Sequence, residues 1–476
     1  MVNITTLDGF LTHLEGSSRG RLIDTWGGER EGARYSRLVD VASAWECHFA
    51  SLGMPAGLPL ILPMRIRVAS FAAFLGALRC GFFPILIKPA LPVNLVHEML
   101  KQIGGGLVLA SATTSAVFEA HEYLASGNQI GDSQVLRTPD VASPVPGHEK
   151  GLVGILSSGS TGMPKVIVHP FSNLLRNASM HSNAIDIVAD DTVLLNLPLN
   201  YSYGLVAGLL ATLLAEATGI LVDQQRVNLR GALKGFHVTT CMSTPAHVLA
   251  NFPDNLLGRL RRLTVGGDVL RASLALQLID VVKNGKVFAT YGLTEAGPRV
   301  ATQMLETACI SRYQAVPLGA PLEGVKLSLC ANEADDAGRE LLVDTPTVMH
   351  GYLGDEEGTS AVLCKPGGKL RTGDMFYQRD DLLFFAGRRK RIIVRGGENI
   401  YPALVEGVLM RFPDIEDAWV TAETHDDLGQ VPVAYLIAQR AIDVGSLARE
   451  LRRYLPTSHI PMRWEQVHAF PGTARK

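Results

Sequence analysis

Ser157–Lys165 reads SSGSTGMPK and directly follows Leu152–Leu156, an apolar run that reads LVGIL. The apolar run predicts a short buried strand, and the hydroxyl- and glycine-rich segment is then the loop at its end. Gly159 and Gly162 permit tight turns in which backbone N–H groups converge on an anion, and Lys165 can add positive charge. We therefore predict a phosphate-binding loop, with a mobile surface loop as the alternative.

This loop differs from the Walker P-loop, G-x-x-x-x-G-K-[ST]. Val166 follows Lys165, so the hydroxyl that would hold magnesium in a P-loop is missing. An ATP-binding role for this loop therefore requires a chemistry different from that of the P-loop.

Composition excludes several classes of protein. Hydrophobic residues make up 47% and charged residues 19% of the 476 residues, which predicts a large core rather than disorder. The net charge of -2 argues against a nucleic-acid-binding protein. The six cysteines form no C-x-x-C pair, so we expect reduced, mostly buried thiols in a cytoplasmic protein. Asp8 and Glu15 fall where a signal peptide needs its apolar core, so no secretion signal is expected.

Gly204–Val222 is the one long apolar run that could imitate a membrane span. Glu216 interrupts it, and a charge in the middle of an inserted helix costs roughly 3 kcal/mol. The run therefore predicts a buried helix followed by a strand, and no stable membrane span.

Helical and strand-like runs alternate over most of the chain and predict a layered α/β architecture. The predicted elements are a helix at Ala69–Leu78 and strands at Leu152–Leu156, Thr192–Leu197 and Lys286–Thr290. Near Lys390 the character changes, because five basic residues fall within Arg388–Arg395 and a compact stretch follows them. We predict a large multi-layered N-terminal domain with α/β subdomains over residues 1–388, and a small α+β domain over residues 389–476.

Further short motifs follow the loop in a fixed order, and each is weak alone. They are Tyr291–Glu295 (YGLTE), Gly338–Leu341 (GREL), Gly351-Tyr352, Arg371–Asp374 (RTGD) and Gly387–Glu406. Together with Ser157–Lys165 they resemble the adenylate-forming (AMP-binding) superfamily, which includes acyl-CoA synthetases, nonribosomal-peptide adenylation domains and luciferases. Leu60–Pro63 and Phe71–Gly81 resemble the family's opening strand and helix, so the resemblance spans nearly the whole chain.

The resemblance implies an ATP-dependent acid–thiol ligase that uses Mg2+ and either CoA or the phosphopantetheine of a carrier protein. A carboxylate must approach a phosphate, and two unit charges 4 Å apart repel by roughly 4 kcal/mol at an effective dielectric of 20. Cations and N–H donors have to offset this repulsion. Glu295 corresponds to the family's magnesium ligand and Thr294 to a phosphate contact. The phosphate-binding residues implied are Ser157, Ser158, Gly159, Ser160, Thr161, Gly162 and Lys165.

The same resemblance assigns the nucleoside and the hinge. Asp374 and Arg388 correspond to residues at the ribose, while Tyr291 is placed to stack on adenine. The pair Gly266-Gly267 lines the adenine and acyl pockets. The hinge about which the family's small domain rotates corresponds to Lys390, and the glycines of the thiol tunnel are Gly396 and Gly397.

The C-terminal motif differs from the family pattern. The family's catalytic lysine lies in P-x-T-x-x-G-K, whereas this chain ends PGTARK, one residue shorter and with Arg475 in place of glycine. Lys476 is the counterpart of the catalytic lysine, and a solvated tail is the alternative. Arg389 and Arg391 are either contacts for CoA phosphate or an acidic carrier, or parts of a solvated face.

The acid pocket is assigned to Tyr201, Ser202, Tyr203 and Gly292. Amino-acid-activating relatives have an aspartate where this chain has Ser202, so an ordinary α-amino acid is disfavoured. We expect a small carboxylic acid as substrate. No carrier domain follows Lys476, so the thiol is expected in trans, and the chain is expected to be a monomer or a homodimer. An amino-acid-activating enzyme and a catalytically weakened acyl- or nucleotide-binding relative are the alternatives.

Overall fold

The computed structural model describes most of the chain. The described residues are 4–27, 32–89, 91, 93–111, 114–115, 118, 123–130, 133–138, 151–157, 164–223, 228–252, 254–330, 338–364, 368–391, 393–395, 398–400, 402–425, 428–455 and 457–470. They form two compact units. The N-terminal unit comprises Met1–Gln314, Gly319–Val325 and Asp344–Leu370; the C-terminal unit comprises Ala315–Leu318, Lys326–Val343 and Arg371–Lys476.

Nine described strands of the N-terminal unit form the sheet that carries most of the predicted site. In spatial order they are Ala320–Pro321, Arg299–Met304, Lys286–Gly292, Arg262–Gly266, Thr240–Ser243, Thr192–Leu195, Thr218–Leu221, Arg21–Asp24 and Ala33–Arg34. The strands from Lys286–Gly292 to Arg21–Asp24 are parallel, and the outer ones pair antiparallel. Ligands bind at the carboxyl ends of such parallel strands, which directs attention to that edge.

Eight described strands form the second sheet of this unit. Their order is Gly351–Tyr352, Val166–Pro170, Leu152–Leu156, Phe83–Ile87, Pro59–Pro63, Leu107–Ser111, Ser133–Arg137 and Leu124–Ile130. Leu152–Leu156 is fully apolar and buried, which suits a strand covered on both faces.

Helices and helical turns accompany these sheets. They are Leu7–Gly16, Thr25–Gly27, Tyr35–Ser51, Val68–Arg79, Val93–Gln102, Phe171–Ile185, Tyr203–Leu210, Ala211–Leu214, Leu229–Ala232, Pro245–Asn251, Asp254–Leu257, Ala272–Val281, Thr294–Ala296, Thr307–Tyr313 and Glu356–Val362. The core includes Phe10, Phe74 and Phe171, whose rings meet edge to face with centroids 5.7–5.9 Å apart. Such contacts add to the free energy of simple apolar burial.

The C-terminal unit contains two further sheets. The first consists of the strands Lys326–Leu329, Arg339–Asp344, Leu370–Arg379 and Leu382–Arg388. Its strand-end residues Asp344 and Leu370 belong to the N-terminal unit. The second consists of the strands Glu398–Ile400, Ile393–Arg395, Gly429–Ala438, Ile415–His425 and Arg463–Gln466. The helical segments are Arg389–Arg391, Pro402–Leu409, Val444–Leu451 and Thr457–His459.

The predicted elements exist, and their bounds agree to within two residues; the strand predicted at Thr192–Leu197, for example, ends at Leu195. The helix predicted at Ala69–Leu78 spans Val68–Arg79, and the strand predicted at Lys286–Thr290 extends to Gly292. The apolar run Gly204–Val222 contains all but the first residue of the helical segment Tyr203–Leu210, the helix Ala211–Leu214 and the strand Thr218–Leu221, as predicted. Among the residues described, no helix is long and apolar enough to cross a membrane.

Two expectations need comment. The cysteines are unpaired as predicted, but the expectation that most are buried is wrong, because Cys47 and Cys364 are exposed and only Cys241 is fully buried. The domain boundary between residues 388 and 389 stays a prediction. The contacts of the described chain place Arg371–Arg388 with the C-terminal unit, because their strands pair with Arg339–Val343.

Candidate active site

The predicted phosphate-binding loop begins and ends on a hydrogen-bonded pair. Leu156 and Val166 are partners in an antiparallel hairpin, and beyond them the Ser157 N–H donates to the Lys165 carbonyl over 2.8 Å. The Lys165 N–H donates in turn to Ser157 Oγ over 3.0 Å. These contacts fix both ends of the loop. The predicted contacts Ser158, Gly159, Ser160, Thr161 and Gly162 lie outside the described residues.

The side chain of Lys165 contacts a carboxylate and an aromatic ring. Its ammonium lies 2.7 Å from Asp355 Oδ2 and 4.6 Å from the ring centroid of Tyr352. The hydrogen bond from Lys165, followed by one from the Gly358 N–H, lowers the pKa of Asp355. The Lys165 side chain is 49% exposed, so this ion pair contributes little free energy and a phosphate can replace the carboxylate.

Tyr352 also holds Glu295, the predicted magnesium ligand. Its hydroxyl donates to Glu295 Oε1 over 2.9 Å, and the Met349 N–H donates to the Glu295 carbonyl over 2.8 Å. Burial, and secondly the charge of Glu295, raise the pKa of Tyr352, which keeps the hydroxyl a donor. The motif Gly351-Tyr352 therefore positions a carboxylate that lies 57 residues earlier in the chain.

Glu295 fits a magnesium site of a particular kind. No group of three His, Cys, Asp or Glu side chains capable of holding a metal occurs in the part of the chain that the structure describes. Magnesium commonly binds through one or two carboxylates and completes its octahedron with water and substrate phosphates. A single oriented carboxylate near a phosphate-binding loop suits that mode.

Thr294 links the predicted phosphate site to the predicted acid pocket. Its hydroxyl lies 2.9 Å from Ser202 Oγ, and its carbonyl lies 2.7 Å from His169 Nε2, which must therefore carry the donated proton. His169 is fully buried, and burial lowers its pKa to about 4, so the ring is neutral at pH 7. His169 was not predicted as a site residue, because nothing in its strand distinguishes it from a core residue.

The residues assigned to the acid pocket differ in exposure. Ser202 and Tyr203 are buried, whereas Tyr201 is 44% exposed. The Tyr203 hydroxyl lies 3.1 Å from Thr264 Oγ1. Tyr203 begins a π-helical segment, Tyr203–Leu210, and such segments often occur at functional sites.

The predicted glycines lie at the carboxyl ends of two neighbouring parallel strands. Gly266 ends its strand opposite Thr290, and Gly267 follows it. Tyr291 and Gly292 end the adjacent strand. A Cβ atom on Gly292 would lie 1.9 Å from the Pro298 carbonyl oxygen, so only glycine fits there. The structure thus brings the glycines of both motifs to one edge of the sheet.

In the C-terminal unit, Asp374 and Arg388 are partners across two antiparallel strands. Arg388 Nε lies 3.1 Å from Asp374 Oδ1, and Asp374 is only 4% exposed. Glu340, for which no role was predicted, accepts a hydrogen bond from the Gly373 N–H over 2.9 Å and pairs with Arg371. This buried carboxylate therefore holds the part of the strand Leu370–Arg379 that carries Asp374.

Two arginines of the basic segment form ion pairs with carboxylates. Arg389 pairs with Glu340 at 3.3 Å, and Arg391 pairs with Glu406 at 2.7 Å. The Arg391 guanidinium also lies 3.8 Å from the ring centroid of Trp419. The Arg389 side chain is nevertheless 44% exposed, so both interpretations of these residues, contacts for CoA phosphate or an acidic carrier and a solvated face, stay predictions. Lys390 lies in the turn Arg389–Arg391, while its side chain, Gly396, Gly397 and Lys476 lie outside the described residues.

Comparison with known sequences identifies the family. The model of the AMP-binding enzyme family matches residues 27–353. The chain belongs to this family. The model of the AMP-binding enzyme C-terminal domain matches residues 404–474. The predicted superfamily is thereby confirmed.

Named relatives agree with this assignment. The 2-succinylbenzoate–CoA ligase of Oceanobacillus iheyensis is 27% identical over 424 residues, which are 86% of this chain and 84% of that protein. The structure of o-succinylbenzoate CoA synthetase from Bacillus subtilis with its acyl-adenylate intermediate is 23% identical, with a TM-score of 0.76, and the match covers 98% of this chain and 95% of that one. The same enzyme with ATP and magnesium is 23% identical, with a TM-score of 0.77 and coverage of 97% and 96%.

These findings confirm two predictions at the level of the whole protein. The fold is the predicted α/β architecture with a large N-terminal and a small C-terminal part. The chain is an AMP-forming acid–thiol ligase, as the order of its motifs predicts. The roles of the individual site residues remain predictions.

Proposed function

We propose that the chain joins a small carboxylic acid to AMP and then transfers the acyl group to the thiol of CoA. The arrangement of Lys165, Glu295 and Tyr352 carries this proposal. It sets a cation and an oriented carboxylate beside the ends of a loop rich in hydroxyl groups, as a magnesium-bound triphosphate requires.

In the first step a carboxylate oxygen attacks the α-phosphorus, the bond to the β-phosphate breaks, and pyrophosphate leaves. Lys165 releases Asp355, binds the leaving phosphates and stabilises their charge. Glu295 would hold magnesium, which neutralises phosphate charge when bound. The 2.9 Å contact between the Thr294 and Ser202 hydroxyls supports assigning the phosphate and the acid to neighbouring positions at these two residues.

In the second step the thiol sulfur attacks the acyl carbon, AMP leaves with the oxygen that came from the acid, and the thiol proton passes to water. We assign the ribose contacts to Asp374 and Arg388, and the bridging cation of the first step to Lys476. Lys390 is proposed as the hinge, and Gly396-Gly397 as the thiol tunnel.

CoA is the preferred acceptor because the relatives reported above are named as CoA ligases and synthetases. A carrier protein in trans is the alternative acceptor. The proposal includes a cytoplasmic location, which agrees with the unpaired cysteines.

Product analysis tests the proposal. The full chain is incubated with ATP, Mg2+, a panel of small carboxylic acids, and either CoA or a phosphopantetheinylated carrier protein. We expect equal amounts of AMP, pyrophosphate and acyl-CoA with at least one acid. Formation of ADP, or no acid-dependent consumption of ATP across the panel, would contradict it.

A further inference from the structure

Arg299 is a buried cation without a buried anion. It is 2% exposed, and none of the carboxylates in the described ranges lies within ion-pair distance of its guanidinium. Removing a charged group from water is costly unless an opposite charge or full hydrogen bonding compensates. Burial lowers the pKa of Arg299 accordingly.

The contacts of the guanidinium compensate its charge only in part. Nη1 donates to Thr290 Oγ1 over 2.7 Å, and the guanidinium carbon lies 4.1 Å from the ring centroid of Tyr203. Nε is buried, and none of the atoms that the structure describes accepts a hydrogen bond from it. One side of the guanidinium therefore lacks the acceptor that its fixed fork of donors could use.

Two hydrogen bonds fix the backbone of Arg299, and therefore the position from which its side chain extends. The Arg299 N–H donates to Asn177 Oδ1 over 2.9 Å, and Asn177 Nδ2 donates back to the Arg299 carbonyl over 2.9 Å. A Cβ atom on Gly266 would lie 2.9 Å from Nη1 and 2.3 Å from Thr290 Oγ1. The glycine thus leaves the space that the guanidinium and its hydroxyl partner occupy.

His181 shows that the surroundings do not neutralise this charge. Both of its ring nitrogens are buried, and neither has a hydrogen-bond partner among the described residues. Burial, and secondly the charge of Arg299, lower the pKa of His181 to about 3. Among the described residues, the charge that acts on His181 is that of Arg299.

We propose that Arg299 binds a second carboxylate of the acid substrate, so that the enzyme activates dicarboxylic acids. This inference rests on the proposed function, because Tyr203, whose ring the guanidinium contacts, is assigned to the acid pocket and Thr290 lies two residues before Gly292 in the same strand. A carboxylate accepts two N–H bonds from a guanidinium in one plane, which matches the donors that Arg299 leaves unused. An acid that ends in a methyl group leaves the cation uncompensated.

The test compares matched acids that differ in one carboxylate. Thioester formation is measured with succinate and butanoate, glutarate and pentanoate, and 2-succinylbenzoate and 4-oxo-4-phenylbutanoate. We expect at least one dicarboxylate to exceed its partner in kcat/KM by roughly 100-fold. In Arg299→Met this ratio should fall by about the same factor, mainly through KM, and activity with the monocarboxylates should rise. Arg299→Lys should give an intermediate ratio because lysine keeps the charge without the fork.

Thermal unfolding and ATP binding of each variant show whether it folds, and the ratio between matched acids is independent of the amount of folded enzyme. Equal preference for both acids of every pair in the parent, or an unchanged ratio in Arg299→Met, would overturn the inference. Activity restricted to monocarboxylates would overturn it while supporting the proposed function. A complete lack of activity with every acid would overturn both.

Discussion

The hydroxyl of Tyr352 donates a 2.9 Å hydrogen bond to Glu295 Oε1. The ring of the same side chain lies 4.6 Å from the Lys165 ammonium. One tyrosine thus contacts the carboxylate proposed for magnesium and the cation proposed for phosphate. This relationship makes Tyr352 a positioning residue for both.

Tyr352→Phe should separate these two roles, because it removes the hydroxyl and keeps the ring. A hydrogen bond to a charged group contributes roughly 1.5–3 kcal/mol, and we expect at least a tenfold loss of kcat/KM for ATP. The Mg2+ concentration for half-maximal rate should rise as well. Titration of Mg2+ at fixed ATP measures this, with Tyr435→Phe as the control. Unchanged Mg2+ dependence in Tyr352→Phe would remove the positioning role.

Asp355→Asn should improve ATP binding modestly. The substitution releases Lys165, and an asparagine at this position can still accept the Gly358 N–H that caps the helix Glu356–Val362. An exposed ion pair contributes about 0–1 kcal/mol, so the KM for ATP should fall by up to about fivefold. Lys165→Met should raise that KM instead. Steady-state kinetics with ATP as the varied substrate decides, and a higher KM in Asp355→Asn would show that the carboxylate assists Lys165.

His181→Leu should change how stability depends on pH. The pKa of His181 is lowered to about 3 in the folded chain, so between pH 6.5 and 3 only the unfolded chain binds this proton. The contribution is fully present above pH 6.5 and is lost as the pH falls, by about 2 kcal/mol at pH 5. The variant should therefore lose less stability than the parent between pH 7.5 and 5. Urea unfolding at both pH values measures the difference, with exposed His468→Leu as the control; parallel losses in parent and His181→Leu would contradict the lowered pKa.

Lys476→Ala tests the shortened C-terminal motif. We expect formation of the acyl-adenylate to fall by roughly 100- to 1000-fold, because a cation that bridges two anions in the transition state is lost. Thioester formation from a supplied acyl-adenylate should change far less. Equal rates of parent and variant in both half-reactions would move the bridging role to another residue.

The contiguous motifs could be predicted because their residues act as neighbours along the chain. Tyr291 and Gly292 end one strand and Arg371–Asp374 lie at the beginning of another, while the roles that the resemblance assigns to these motifs stay predictions. Contacts between distant segments could not be predicted in the same way. Thr294 meets Ser202 across 92 residues and His169 across 125 residues, and these pairings depend on strand order and register.

The ion pairs of the basic segment could not be predicted from the sequence for the same reason. Arg389 and Arg391 have the spacing and composition of a solvated face in sequence. Their carboxylate partners, Glu340 and Glu406, come from other elements, and only the packed structure brings them within 3.3 Å. Arg299 is the opposite case. Nothing in the sequence indicates that this arginine, shortly after the YGLTE motif, is buried in the core.

The central claim is that the acid's own oxygen attacks the α-phosphorus of ATP. It is tested most directly with an acid whose carboxylate carries 18O, incubated with the full chain, ATP, Mg2+ and CoA. We predict one 18O atom in the phosphate of AMP and none in pyrophosphate. Unlabelled AMP, or 18O in inorganic phosphate alongside ADP, would contradict the claim.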